Sequence, residues 1–187
     1  MTNRPKAIGT AAETAVVRCA RTNGFPHADR LTLTGSQDRG DVGLCPGVVV
    51  EVKAGHAAER ASDGLVGDWL VETERERLAA GAAVALLVTK RAGISGARAD
   101  RWWAHLRLGQ LTAAHPDLLD LPVRLHFGDA LRLLRTAGWG EPLYGAVSAA
   151  TPLPGVLTPG TGERAREGAP VTAERAHPAR TDREEMT

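Results

Sequence analysis

The sequence predicts an α/β (mixed α+β) fold, a central sheet of mixed strand direction flanked by helices. Three observations carry this. An Ala-rich helical segment precedes three short segments with strand patterning. A charged helical segment then separates the strongest strand from a second apolar run, and a strand–helix–strand order implies a parallel step in the sheet. Finally, the chain has 187 residues, 43% of them hydrophobic, enough for one domain with a real core.

The elements follow in order. Residues Gly9 to Asn23 favour a helix, with Asn23-Gly24 as its stop. LTLTG, Leu31 to Gly35, alternates apolar and polar residues and reads as a strand. SQDRG is a turn, DVGL a short strand, Cys45-Pro46-Gly47 a hairpin turn, and VVVEVKA a strong strand. Together these make an antiparallel meander of three strands. Leu65 to Ala80 is a second helix, with Ser62 or Asp63 as its cap and the charges of ETERER on a solvated face. Ala82 to Lys90 is a buried strand. ARADRWWAHLRLGQLTAAH combines strand and helix or loop character; as a strand it puts Trp102 and Trp103 on opposite faces, one in the core and the other at a rim or partner surface. PVRLHFG alternates as a last strand, and DALRLLRTAGWG is a short helix capped by Asp129 and ended by Gly138. Residues 1–145 form the domain. Residues 146–187, rich in Pro, Gly, Arg and Glu, have too few large apolar residues for a core and read as a disordered tail.

Composition narrows the class. The 23 Lys and Arg against 22 Asp and Glu leave a net charge of +1, so no global field points to nucleic acid or membrane. Cys19 and Cys45 form no CxxC pair and join no zinc-spaced cluster. No apolar run approaches the ~18 residues of a membrane span. These features predict a reduced, soluble, cytoplasmic protein.

One stretch departs from plain core-building. In the strand 48–54, Glu51 and Lys53 share a face with Val49, while Val48, Val50 and Val52 share the other. If the Cys45-Pro46-Gly47 turn pairs the two strands, Asp41 lies near Glu51. Two neighbouring carboxylates repel unless a positive charge sits between them. Mg²⁺ supplies such a charge and takes oxygen ligands, often one or two carboxylates with water and phosphate. The Val52 carbonyl is a candidate further ligand. Lys53 then stands where it orients the attacking water, lowers its pKa, or stabilises charge on phosphorus. Glu13 borders the apolar stripe of Val16, Val17 and Ala20 on the first helix, and the cation is a candidate partner for it. The alternatives are plain: an edge strand with a surface Glu–Lys pair, and a solvated helix glutamate at Glu13.

A helix glutamate, then an aspartate, then Glu-x-Lys on the next strand resembles the PD-(D/E)xK nuclease superfamily. With the Gly35-Ser36 turn before Asp41, the pattern is most similar to archaeal-type Holliday junction resolvases and related phage endonucleases. The resemblance spans Ile8 to Lys90, and it departs at Gly40, where the name-giving motif has proline. It implies a restriction-endonuclease-like core and Mg²⁺-dependent hydrolysis of DNA phosphodiesters, with Mn²⁺ as a substitute. Glu13, Asp41, Glu51 and Lys53 match the catalytic set, and Ser36 matches a loop serine near the scissile phosphate. Arg39 is, by its place, a candidate phosphate contact. A four-way junction substrate would imply a homodimer. The other readings are a repair or restriction-like nuclease, and a non-catalytic DNA-binding protein of the same fold.

Overall fold

A computed structural model describes residues 4–31, 40–110 and 120–143. The predicted strand from Leu31 to Gly35, apart from Leu31, lies outside these residues, as do Ser36, Arg39 and the tail 146–187.

Helix α1 (Arg4–Thr22) leads into a two-residue strand β1 (Asp29–Arg30). Strands β2 (Val42–Cys45) and β3 (Val48–Lys53) form the hairpin, with Gly47 at φ +87° in its turn. A short helix α2 (His56–Glu59) follows. Helix α3 (Asp63–Ala79) is capped by Ser62, whose side chain accepts from Leu65 N–H. Next come β4 (Val84–Thr89), a 3₁₀ turn (Gly96–Arg101), β5 (Trp103–Arg107), β6 (Pro122–His126) and α4 (Phe127–Thr136). Asp129 does not cap α4: the N-cap is His126, and Asp129 lies in the first turn, where a carboxylate still favours the helix dipole.

The six strands form one sheet in sequential order. Every neighbouring pair is antiparallel except β3 and β4, the parallel step that the crossover through α3 requires. One face packs on α1 and α4. There Val48, Val50, Val52, Val84, Leu86, Val88, Ala104 and Leu106 meet Ala12, Val16, Val17, Ala20, Leu131 and Leu134. The period-2 alternation of each strand puts the intervening residues on the other face, beneath α3. Val49 and Ala85 pack there with Ala82.

On that second face the register sets out two cross-strand rows. Lys53, Thr89, Trp103 and His126 are successive partners across β3 to β6. Glu51, Leu87, His105 and Arg124 form the next row. Among the described residues no helix is long and apolar enough to cross a membrane.

Candidate active site

Because β3 is an interior strand with helices over both faces, Glu51 is buried at 7% exposure rather than sitting on an edge. The surface Glu–Lys alternative does not describe this strand. Asp41 is fixed by its own backbone: its N–H donates to Val50 O at 3.0 Å, and its carbonyl accepts from Leu31 N–H at 2.8 Å. Gly40 has φ +88°, and a Cβ there would stand 3.3 Å from Val50 O. Proline, locked near −65°, cannot adopt that backbone. The departure from the "PD" pattern therefore has a conformational cause.

The Asp41 carboxylate turns onto β3, and its Oδ2 accepts from Val52 N–H at 2.8 Å. Val52 thus enters the site through its amide. The Glu51 carboxylate lies close enough for its charge to act on Asp41. Burial, then the Glu51 charge, pushes the Asp41 carboxyl up to about 7. Glu51 is likewise pushed up to about 7, by burial first and by Glu76 beside it, although Lys53 opposes the shift. Lys53 Nζ lies 2.8 Å from Glu51 Oε1 and 2.9 Å from Glu72 Oε2. Burial alone would lower the Lys53 pKa; the two carboxylates outweigh it, so the group stays an ammonium.

Glu13 is partnered by Arg30, in an ion pair at the end of β1. It acts on Asp41 as a third negative charge. The cation that the sequence analysis assigns to Glu13 therefore has a protein counterpart in Arg30. Lys90, just past the end of β4, is ion-paired with Glu59 of α2.

The sequence predicts the ETERER charges on a solvated face; Glu72 is exposed there and still reaches Lys53, whereas Glu76 departs from that expectation. Glu76 is buried at 4% exposure, and its charge acts on Glu51. The spacing signals this for Glu76: Leu70, Thr73 and Glu76 recur at three-residue intervals on the stripe that α3 buries against the sheet, while Glu72 stays half exposed at its rim and reaches Lys53 from there.

Among the described residues no group of three His, Cys, Asp or Glu side chains is arranged to hold a metal ion. The donor set that does converge is a pair of neighbouring carboxylates, whose ionisation is opposed by burial and by nearby acids, Glu51 acting on Asp41 and Glu76 on Glu51. That chemistry fits one hard divalent cation completed by water and substrate oxygens. Comparison with protein-family models, with curated proteins and with solved structures finds no match to this chain.

Proposed function

We propose that the protein is a metal-dependent DNA endonuclease of the PD-(D/E)xK, restriction-endonuclease-like type, acting on branched DNA in the manner of a Holliday junction resolvase. The observation that carries this reading is the convergence of Asp41, Glu51 and Lys53 on one face of an interior strand, with Glu13 acting on Asp41 from α1.

Asp41 and Glu51 would hold Mg²⁺ or Mn²⁺, with the Val52 carbonyl as a further candidate ligand and Glu13 behind them. When bound, the cation supplies Lewis acidity at the phosphate and lowers the pKa of water. The chain's own residues do the rest. Asp41 and Glu51, reluctant to ionise alone, accept the positive charge without a large conformational change because backbone hydrogen bonds already fix Asp41. Lys53, clamped by Glu51 and Glu72, presents a fixed ammonium to the phosphate oxygen on which negative charge grows. Water adds to phosphorus, one P–O ester bond breaks, and the leaving oxygen takes a proton. Ser36 and Arg39 are candidate substrate contacts, and two symmetric cuts in a junction call for a homodimer.

The test is cleavage of four-way, duplex and single-stranded DNA by the purified chain with Mg²⁺. Asp41→Ala and Lys53→Ala are expected to lower the rate at least ~10²-fold. Parental rates in either variant overturn the assigned chemistry, and equal cutting of junction and linear duplex overturns the junction preference. Calorimetric titration with Mg²⁺ in the presence of DNA separates this from a non-catalytic binding protein, which would take up no cation.

A further inference from the structure

The second sheet face carries another cluster beyond the acids. Trp102 turns into the core at 1% exposure and donates its Nε1–H to Ile94 O. Its neighbour Trp103 turns the other way and is only partly buried. Its ring stacks on His126 with centroids 4.9 Å apart and planes 12° from parallel. Two guanidiniums lie over the same ring, Arg91 at 4.5 Å and Arg124 at 5.1 Å from its centroid. Arg91 Nη1 is also 3.3 Å from His126 Nε2. The nearby ion pairs among the described residues are Lys90–Glu59 and His126 Nδ1–Asp129, the latter at 3.7 Å, and neither guanidinium takes part in them.

Two guanidiniums lie over one indole, and among the described residues neither is ion-paired with a carboxylate, so together they form a preorganised anion site. An arginine so fixed loses little freedom on binding and offers its planar fork to phosphate. The placement names the anion. Trp103 stands in the same cross-strand row as Lys53, two strands away. At ~4.8 Å per strand this is ~10 Å, close enough for one DNA backbone to reach both places.

We propose that Arg91 and Arg124, oriented by Trp103 and His126, bind the phosphate backbone of the nucleic-acid strand a few nucleotides from the Asp41–Glu51 centre. The assignment of the bound strand as substrate rests on the hydrolase reading above; the binding itself is measured separately.

The experiment is fluorescence anisotropy of the full chain with labelled single-stranded and duplex DNA, without divalent cation, across a salt series. The Arg91→Gln/Arg124→Gln variant should lower the slope of log K against log salt by about 1.8 on duplex and about 1.4 on single strands, about 0.9 and about 0.7 for each phosphate no longer neutralised. Arg91→Lys/Arg124→Lys, which keeps both charges, should hold most of the parental slope. A control, Arg18→Gln/Arg98→Gln, lies on α1 and the 3₁₀ turn packed against it and should leave the slope unchanged. If the double glutamine variant loses its folded circular dichroism, Arg124→Gln alone carries the test at half the slope change. A parental slope in the glutamine variants overturns the patch, as does an equal loss in the control. Displacement of the DNA by polyglutamate at equal charge concentration also overturns it. A parental slope beside Asp41-dependent cleavage sinks the patch alone. A lowered slope in a chain that cuts nothing leaves the patch standing and sinks the hydrolase.

Discussion

The substitution Asp41→Asn should stabilise the metal-free protein at alkaline pH while removing its affinity for the cation. Asp41 is raised from 3.8 to about 7, by burial first and then by Glu51, with Glu13 adding to the repulsion. Asparagine keeps an oxygen to accept from Val52 N–H and brings no charge. A carboxylate whose folded pKa lies above its unfolded one stabilises the fold below the unfolded value. That contribution is lost as pH rises through the folded value, here between about 4 and about 7. The full shift corresponds to ~4 kcal/mol. The carboxyl is partly open to solvent, which screens the repulsion and leaves about 2 kcal/mol as the working figure. For a chain of this size that is a gain of about 4–8 °C in Tm at pH 8. Thermal melts of parent and variant from pH 4 to 8.5 should show the difference growing with pH and vanishing near pH 4. If the proposed cation site is right, excess Mg²⁺ should raise the parent's Tm and leave the variant's where it was, since a ligand of the folded state alone stabilises it. A variant no more stable than the parent at pH 8, or one equally favoured at pH 4, refutes the reasoning that partial burial and the neighbouring Glu51 charge raise Asp41.

Three further outcomes follow from other side chains. Glu76→Gln removes the acid that helps raise Glu51, so the acidic limb of the pH–rate profile should move to lower pH; an unmoved limb means Glu76 does not act on Glu51. His105 is held neutral, lowered to about 4 by burial and then by Arg124, with Nε2 3.2 Å from Thr89 Oγ1. Its contribution is present above ~6.5 and lost as pH falls towards 4, up to ~3 kcal/mol. His105→Gln should flatten that acid-side loss in melts, and an unchanged loss refutes the assignment. Leu86, at 0% exposure in the middle of β4, should cost about 2–5 kcal/mol when cut to alanine, read as a lower denaturant midpoint at constant slope.

Much of this protein is written locally. The period-2 alternation of VVVEVKA places Glu51 and Lys53 on one face, and a single turn brings Asp41 alongside; both follow from neighbours in the chain. Ser62 as a cap and the parallel β3–β4 step are equally short-range in logic. Other features depend on long-range packing. Glu13 pairs with Arg30, seventeen residues away, because β1 ends beside α1. The acids of α3 read as solvated until the helix is laid across β3, where Glu76 is buried beside Glu51 and Glu72 reaches Lys53. Trp103, Arg91, Arg124 and His126 lie up to 35 residues apart and share one surface only because β4, β5 and β6 pair in a particular register. Alternation and turn chemistry act between adjacent residues and are legible in sequence. Which helix covers which face, and which strands become neighbours, is settled by the burial of the whole apolar surface at once, and only the folded chain decides it.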